Sequence, residues 1–288
     1  MLAIKHILFP IDFSERCCGA APFVQAMATR FGAKITLINA MTPIWQTGIT
    51  DSGTTIAVDI DELKRDLEAR LSSALVREFA GIPVQRIVEI GEPAEVITRF
   101  AHTEGVDLIM MPTHGYGPFR SLLLGSVTAK VLHDAECPVW TTAHMEAQPS
   151  LRHLAGASIL CAVDGTPKCA PLVRWAADYA KFTGGKLRMV HAVSGVVGWP
   201  ERQLNQEFEE ALQKEARETI EHLQRSIGIT WPLCVSVGEV AGVVRAEAER
   251  LHADLILLGR GMLHETIGRL RTHSYGIIRH APCPVLSI

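Results

Sequence analysis

The run Ile7-Leu8-Phe9-Pro10-Ile11-Asp12 decides the fold, because it returns in the second half of the chain as Ile159-Leu160-Cys161-Ala162-Val163-Asp164. Each run is apolar, ends in aspartate and precedes a segment with apolar residues at helical spacing. A glycine suited to a helix C-cap and a second short apolar run follow in both places. The chain therefore contains two copies of one α/β plan.

The repeat continues to the end of each half. After the first strand, both halves contain a helix, a strand, a helix, a strand, a Gly-Glu pair that opens a third helix, a fully apolar fourth strand and a closing Cys-Pro-Val segment. In that order, these lie at 20–31, 35–40, 62–79, 84–90, 91–92, 107–111 and 137–139 in the first half. In the second half they lie at 170–182, 187–193, 206–227, 233–237, 238–239, 254–258 and 283–285. Five strands alternating with four helices predict, for each half, an open five-stranded parallel sheet with helices on both faces, a Rossmann-like α/β fold.

Two domains follow from this repeat, with expected bounds of 1–146 and 153–288. Between them, the polar segment 141–152 contains Gln148, Pro149 and Ser150 and is the natural linker. Each half ends in a short apolar strand, at 138–142 and 284–288, that would be an exposed edge if left unpaired. We therefore expect the halves to pair through these strands.

Composition narrows the function classes. The chain has 288 residues, 48% of them hydrophobic, and 28 Lys and Arg against 31 Asp and Glu, which is typical of a globular protein and disfavours nucleic acid as a partner. No run approaches the ~20 apolar residues of a membrane helix, and Met1–His6 lacks a secretion-signal core, so we expect a cytoplasmic protein without a membrane partner.

Seven cysteines form an odd, scattered set without a CxxC spacing, which predicts reduced thiols rather than a disulfide framework. The adjacent Cys17 and Cys18 could suggest metal or redox chemistry. They fall on a predicted helix, where neighbouring side chains point about 100° apart, and core packing is the preferred interpretation of both.

Ligands of open α/β sheets bind at the carboxyl ends of the strands, so the loops there carry the candidate site. In the first loop Asp12 ends the strand and Ser14 can cap the next helix; Asp12 could bind a nucleoside's hydroxyls or simply fix the turn. The second loop, 41–60, is unusually long and is either a lid or disordered.

The third loop is the most informative. It reads Pro112-Thr113-His114-Gly115, then nine residues, then Gly125-Ser126 at the start of a predicted helix over 127–134. Gly115 permits close backbone approach, Gly125 permits unusual dihedral angles, and Ser126 offers a hydroxyl beside free N–H groups. The spacing is compatible with a phosphate cradle at a helix start and also with an ordinary helix cap.

This loop resembles the nucleotide motif of the universal stress protein family, Gly-x2-Gly-x9-Gly-Ser/Thr, and the resemblance extends over nearly the whole chain in a tandem-domain form. Gly115 matches the second glycine and Gly125-Ser126 the final pair, with the nine-residue gap intact, while Pro112 stands at the first glycine. The flanking Thr113-His114 and Leu122–Val127 and the closing Cys137-Pro138-Val139 also look like the family. The family's fold is the adenine nucleotide alpha hydrolase-like version of the predicted architecture.

The resemblance implies an ATP site in the first half, with ATP or a related adenine nucleotide, with or without Mg²⁺, as ligand. Asp12 would lie at the adenosine end and Ala40 would offer backbone contacts to adenine. The phosphate end would be formed by Pro112, His114, Gly115, Gly125, Ser126 and Val127. Because proline has no N–H, any hydrogen bond that the family takes from the first glycine amide is lost here. The family also implies a pseudo-dimer of the two domains, and a homodimer is a further option.

The second half departs from the motif. Gly259-Arg260-Gly261 supplies glycines, but its loop is one residue shorter and Arg271-Thr272 replaces the Gly-Ser pair. The nearby His264 and His273 lack an HxxxH or HxH spacing, and we interpret them as surface histidines. Arg271 could still offer its guanidinium to a phosphate. We expect nucleotide binding in the first half, and weak binding or none in the second.

Three functions compete at this point: a nucleotide-binding stress regulator, a nucleotide-free tandem scaffold that acts through protein partners, and an enzyme of the same architecture. The enzyme is the weakest, because no GxxxxGK[ST], HxGH, SGGxDS-like or GxSxG run occurs. Slow ATP turnover at the first-half site stays open, with Lys130, His114 and Asp12 as the nearby polar groups. No catalytic residue and no metal ligand is predicted.

Overall fold

A computed structural model describes most of the chain, which forms two compact units. The described residues are 2–42, 48–49, 55–56, 59–113, 124–142, 158–193, 202–260 and 270–288, with backbone only for 48–49, 55–56, 202–205 and 270–272.

In its described residues, the first half is a five-stranded sheet with four helices and a short hairpin. Its sheet order is β5-β2-β1-β6-β7, and β1 pairs in parallel with β2 and β6, as β2 does with β5. The elements are β1 (His6–Pro10), α1 (Glu15–Phe31), β2 (Lys34–Met41), β3 (Gly48–Ile49), β4 (Thr55–Ile56), α2 (Ile60–Ser73), β5 (Val84–Ile90), α3 (Pro93–Thr103), β6 (Leu108–Pro112), α4 (Ser126–Asp134) and β7 (Val139–Thr142).

The second half repeats this order as β10-β9-β8-β11-β12, with parallel pairing of each neighbouring pair. A 3₁₀ turn (Pro167–Cys169) precedes its first helix. The elements are β8 (Ser158–Ala162), α5 (Ala170–Thr183), β9 (Lys186–Val193), α6 (Arg202–Ile227), β10 (Leu233–Val237), α7 (Val240–Leu251), β11 (Leu255–Leu258), α8 (Leu270–His280) and β12 (Val285–Ser287). The predicted tandem α/β architecture is confirmed.

The apolar composition of the central strands follows from their burial. In β1 and β6 the runs Ile7–Phe9 and Leu108–Met110 are fully buried, as expected for parallel strands covered on both faces. The fully apolar fourth strand of each half is an interior strand, since β6 lies between β1 and β7, and β11 between β8 and β12.

The Gly-Glu pairs are strand-to-helix turns. Gly91 N–H donates to Met41 O and Gly238 N–H to Val193 O, which ties each turn to the neighbouring strand. A Cβ on Gly91 would lie 2.7 Å from Val96 Cγ2, so glycine is needed for close packing against the helix it precedes. Glu92 and Glu239 then cap α3 and α7 with their carboxylates.

The predicted helix over 62–79 is too long, because α2 ends at Ser73. Arg86 on β5 donates to the carbonyls of Leu71 and Ala74, at 3.0 Å each, and so takes up acceptors that a longer helix would use. The chain then turns through Leu75, which has a φ of 52°. This turn leads to the buried Phe79, whose ring meets Phe9 edge to face at 6.3 Å.

Two loop predictions also change. The segment 41–60 is not structureless, because β3 and β4 pair antiparallel within it; its proposed role as a lid stays a prediction. The expected linker 141–152 begins too early, since Thr141 and Thr142 form the end of β7; the rest of it lies outside the described residues.

Within the described ranges, no helix combines the length and the apolar character that crossing a membrane requires.

Candidate functional site

The topology brings the first-half candidate residues to one edge of the sheet. β1 lies between β2 and β6, and in parallel strands the carboxyl ends share an edge. Asp12 follows β1, Ala40 is the penultimate residue of β2, and Pro112 ends β6. His114 and Gly115 lie outside the described residues, so their predicted contacts stay predictions.

Asp12 has a structural role in the turn after β1. Its Oδ1 accepts from the backbone N–H of Ser14 at 2.9 Å and from the Ser14 hydroxyl at 2.6 Å. Ser14 Oγ in turn accepts from Cys17 N–H at 3.2 Å and caps α1. One carboxylate oxygen of Asp12 therefore fixes the helix start, and a ligand contact would come from the same rigid, half-buried side chain.

The residue inside this turn, Phe13, has a φ of 63°, in the left-handed region that non-glycine residues seldom adopt. The Arg70 guanidinium of α2 lies 4.1 Å from the centre of its ring, a cation–π contact. Sequence reasoning missed Phe13, since a positive φ at an aromatic residue leaves no pattern in a single sequence.

Asn39 is the second residue that sequence reasoning missed. Its Nδ2 donates to Ile11 O at 2.7 Å, and Ile11 N–H donates to Ile38 O at 2.8 Å. These bonds hold the end of β1 against β2 just before Asp12. A buried amide in the apolar run of β2 was the available signal, because a buried polar group needs a partner.

Hydrogen bonds join the residues at the end of β6 to the start of α4. Gly125 N–H donates to Thr113 O at 2.9 Å, and the buried Thr128 hydroxyl donates to Pro112 O at 3.1 Å. Gly125 has φ −57° and ψ 142°, which any residue can adopt, so the expectation of unusual dihedral angles there is wrong. What the glycine contributes is the absence of a side chain.

The start of α4 differs from the other helix starts in this half. Side chains of Ser14, Asp59 and Glu92 cap α1, α2 and α3, whereas Gly125 at α4 provides no side-chain acceptor. Ser126, which is exposed, and Val127 supply the first amides of the helix. Such amides, together with the helix dipole, are suited to an anion such as phosphate.

The Lys130 ammonium group pairs with carboxylates at the start of α3. Its Nζ lies 2.8 Å from Glu95 Oε1 and 3.2 Å from Glu92 Oε2, both on the start of α3. The hydrogen bonds that Lys130 donates to the carboxylates of Glu95 and Glu92 raise its pKa. Burial acts to raise the pKa of Glu92, but hydrogen bonds from the Glu95 amide and Lys130 outweigh it and leave that pKa below its usual value.

The four buried thiols are poor nucleophiles. Burial raises the pKa of Cys169 and of Cys283 to about 12, and it also raises the pKa of Cys17 and Cys161. Core packing of Cys17 is confirmed, but the same expectation for Cys18 is wrong because that residue is exposed. No group of three or more potential metal ligands occurs in the described part of the chain.

The second half repeats the first turn with different side chains. Asp164 Oδ1 accepts from Thr166 N–H at 2.8 Å and from the Thr166 hydroxyl at 2.9 Å, and Gly165 has the positive φ, 77°. His191 Nδ1 lies 2.8 Å from Val163 O, so it replaces Asn39 as the anchor of the strand end. Sequence reasoning had kept Asp164 but missed His191.

The fourth helix differs more strongly. α8 begins at Leu270, so Arg271 and Thr272, the counterparts of Gly125 and Ser126, both lie inside the helix. Arg260, in the shortened loop, is buried, and its backbone N–H donates a hydrogen bond to Ile288 O at 2.6 Å. The partly exposed His273 lies in α8, and His264 is outside the described residues.

Comparisons with known proteins agree on one family. The model of the Universal stress protein family matches residues 3–142 and 157–288. Universal stress protein MJ0577 of Methanocaldococcus jannaschii is 32% identical over 149 residues, which cover 47% of this chain and 92% of that protein.

A solved structure that covers nearly the whole chain shows the same fold. A universal stress protein from Archaeoglobus fulgidus superposes with a TM-score of 0.70 at 21% identity and covers 99% of this chain and 96% of its own. A universal stress protein solved in complex with cAMP has a TM-score of 0.39 at 21% identity, with 49% of this chain and 98% of its own covered.

Proposed function

Since the chain belongs to the universal stress protein family, we propose that its first half binds ATP or a related adenine nucleotide and that the protein is a regulator rather than a strong catalyst. The proposal places the phosphates at the start of α4 and the nucleoside near Asp12 and Ala40. His114 and Gly115 complete the proposed phosphate end, as the family motif implies.

The observation that carries this proposal is the missing side-chain cap on α4. Gly125 N–H is already bonded to Thr113 O, and the amides that follow it meet no capping side chain from the described residues. A phosphate oxygen would supply the acceptor that Ser14, Asp59 and Glu92 supply at the other helices of this half. The charge of Lys130 is engaged by α3, so the proposed phosphate contacts come from the backbone and Ser126.

Pro112 weakens the proposed site without removing it. A proline offers no N–H to a phosphate, and its carbonyl already accepts from Thr128. One lost hydrogen bond costs about 1 kcal/mol, which corresponds to roughly a five- to tenfold loss of affinity. We therefore expect weaker binding than in a family member with glycine at this position.

At the nucleoside end of the proposed site, hydrogen bonds hold the protein groups in fixed positions. The Asp12 side chain is held by Ser14, and the Asn39 amide holds the carbonyl of Ile11. Ala40, half-buried at the end of β2, has backbone groups near this edge for an adenine ring. A nucleoside would thus meet side chains whose positions are set before it binds.

Turnover should be slow if the protein is a regulator. Nothing in the described part of the chain positions a general base beside the start of α4, and Lys130 is paired with two carboxylates. We expect ATP hydrolysis far below the ~1–100 s⁻¹ of kinases. A phosphate-release assay with and without Mg²⁺ tests this, and turnover in that range would contradict a regulatory role.

The two domains, proposed as 1–146 and 153–288, form an intramolecular pseudo-dimer through their last strands in this account, and two chains can also associate as a homodimer. Sedimentation of the intact chain separates monomer from dimer. Cysteines introduced in turn along 138–142 and 284–288 should cross-link within one chain, and failure of every such pair would refute the pairing. The cytoplasmic location stays a prediction that cell fractionation tests.

Extraction tests the central proposal most simply. Protein purified without added nucleotide is denatured with acid, and the supernatant is analysed by ion-pair chromatography for adenine nucleotides. We expect ATP or ADP from the wild-type chain and much less from Gly125→Arg. Nucleotide-free wild-type protein that also fails to bind added ATP would favour the tandem scaffold that acts through protein partners.

A further inference from the structure

We infer that the outer edge of β5 (Val84–Ile90) is a self-association surface, and that its occupant is β5 of a second copy of this chain, paired antiparallel about a two-fold axis at Ile87. β5 is the outermost strand on its side of the sheet, with β2 as its neighbour. The inference gives a surface to the homodimer named in the proposed function and rests on that part of it alone. It does not depend on nucleotide binding.

The backbone groups of β5 alternate between two directions. Pro83 O accepts from Ile35 N–H, and Gly91 N–H donates to Met41 O, so the odd-numbered residues of this segment bond with β2. The even-numbered residues therefore direct both their N–H and their C=O groups away from β2; these are Val84, Arg86, Val88 and Ile90. Within the part of the chain that the structure describes, the backbone of these four residues forms no hydrogen bond on that side. Such a row of unpaired groups is a template for another strand.

Both charged side chains of β5 are bonded to neighbouring segments instead of standing in front of this edge. Arg86 donates from Nε to Leu71 O and from Nη2 to Ala74 O, at 3.0 Å each. Glu89 lies 2.6 Å from Arg99 of α3. β5 also contains no proline, and its seven residues pair with β2 in one unbroken register. Edge strands are usually protected by charges, proline or a bulge, so β5 is suited to pairing.

The matching edge of the second half is shorter and partly capped. β10 (Leu233–Val237) has five residues, and Met189 N–H donates to Pro232 O, so the odd-numbered residues of β10 face away from β9. The carbonyl of Leu233, one of these residues, accepts from Nη1 of Arg217 on α6 at 3.2 Å. We therefore assign the surface to β5.

Self-pairing of β5 selects one register. Two copies related by a two-fold axis pair antiparallel, and the outward-facing residues of one strand must meet those of the other. With Ile87 on the axis, Val84 meets Ile90 of the second copy. Arg86 then meets Val88, so all four outward-facing residues exchange backbone hydrogen bonds. The exposed side chain of Ile90 is thereby set beside an apolar neighbour.

The charges on β5 favour the same register. On the opposite face of the strand, the exposed Gln85 meets Glu89 of the second copy, and an amide can donate to a carboxylate. Sliding one strand by two residues in one direction would set Arg86 opposite Arg86, and like charges directly opposite each other are destabilising. Sliding it in the other direction would set Ile87 opposite Glu89 and remove Val84 from the pairing.

The test measures dimerisation of the intact chain by sedimentation velocity and changes the charge at one exposed position. Gln85→Lys sets an ammonium group against Glu89 twice in each dimer, and we expect it to lower the dissociation constant of the dimer about threefold or more. Gln85→Glu should raise that constant by a similar factor, because it sets two carboxylates against each other. The exposed Gln206 on α6 provides the matched control, since Gln206→Lys and Gln206→Glu should leave the constant unchanged.

Cross-linking tests the register independently. Ile87→Cys lies on the proposed axis and should form a disulfide-linked dimer under mild oxidation. Gln85→Cys should not, because the two copies of that residue would be about 13 Å apart along the strands. The oxidised wild-type chain controls for cross-links through its exposed thiol, Cys18.

The outcomes separate this inference from the rest of the proposed function. A chain that stays monomeric up to about 100 μM overturns the second copy as occupant, and the homodimer with it, and leaves the edge to an extended segment of another protein. A dimer that responds to neither Gln85 substitution, or a folded Ile87→Cys protein without the cross-link, overturns the surface and leaves the homodimer standing. Dimerisation that responds as expected in nucleotide-free protein supports the surface even if ATP fails to bind.

Discussion

The turns after β1 and β8 share one hydrogen-bonded frame and differ in the side chains placed on it. In both, an aspartate accepts from the residue two positions later, the residue between has a positive φ, and a polar side chain of the next strand anchors the strand end. Phe13 and Asn39 in the first half become Gly165 and His191 in the second. The frame belongs to the fold, and the exchanged side chains distinguish the two turns.

The largest expected effect tests the helix starts. Gly125→Arg copies the second half into the first and should weaken ATP binding by about a hundredfold or more, because a side chain at the helix start blocks amides that a phosphate must approach to about 3 Å. The backbone at Gly125 suits arginine, so the variant should fold. Calorimetry measures the affinity.

Arg271→Gly is the matched control for that experiment. It should leave ATP binding in the first half unchanged, since it alters only a residue in the first turn of α8, in the other half. If ATP binding survived Gly125→Arg, or if Arg271→Gly removed it, the assignment of the nucleotide to the first half would be wrong.

The next effect compares the two Gly-Glu turns. Gly91→Ala should destabilise the protein by about 1–3 kcal/mol, because the new Cβ would lie 2.7 Å from Val96 Cγ2. Gly238→Ala should cost less, since the nearest atom, Val243 Cγ2, is 3.0 Å away. Thermal unfolding followed by circular dichroism measures both. Gly105→Ala, with a positive φ but open space, isolates the cost of backbone strain, and equal losses in all three variants would remove packing as the cause.

A smaller effect on stability is expected at Phe13 and Gly165, each of which lies between the aspartate and the hydroxyl-bearing residue of its turn. Phe13→Gly relieves a left-handed conformation worth roughly 1–2 kcal/mol and loses a cation–π contact worth about 0.5–1 kcal/mol, so stability should stay within about 1 kcal/mol of wild type. Gly165→Ala should instead destabilise by about 1–2 kcal/mol, because it introduces strain at φ 77° and a 3.2 Å contact with His191. A marked loss of stability in Phe13→Gly would show that the aromatic contact dominates.

The smallest effect lies at the opposite edge of the sheets, where His6 of the first half is replaced by Ser158 in the second. Burial, with the nearby charge of Lys34, lowers the pKa of His6 below its usual 6.5. As the pH falls through about 6.5, His6 binds a proton in the unfolded chain but not yet in the folded chain. The free energy of unfolding therefore falls as the pH drops below this value. Between about pH 7.5 and about pH 5, which lie on either side of the usual histidine pKa, the melting temperature of His6→Ser should fall by less than that of the wild-type protein. Parallel curves would exclude His6 as a source of the pH dependence.

The sequence was sufficient for the fold because the repeat shows each element twice. Apolar runs such as Leu108–Met110 identify buried strands, and the Gly-Glu pairs identify the turns between strand and helix. The end of α2 was beyond reach, since it depends on Arg86, which is distant in sequence and meets the helix only in the folded chain.

The candidate site was predictable to the level of its loops. Asp12 and Gly125 stand out by position, but the bond between Asn39 and Ile11 joins two strands and needs their pairing in three dimensions. The pairing of Lys130 with Glu92 and Glu95 likewise joins two helices. A single sequence indicates which residues follow strands, and the contacts between elements decide which of them have free polar groups.

The most direct test of the asymmetry between the halves is the number of ATP sites per chain. Nucleotide-free protein, prepared by unfolding and refolding or by extensive dialysis, is titrated with ATP by calorimetry, and the stoichiometry is compared with the concentration of folded chain. We predict one ATP site per chain. Two sites of equal affinity would contradict it, because they would show that Arg271 and Thr272 do not prevent phosphate binding in the second half.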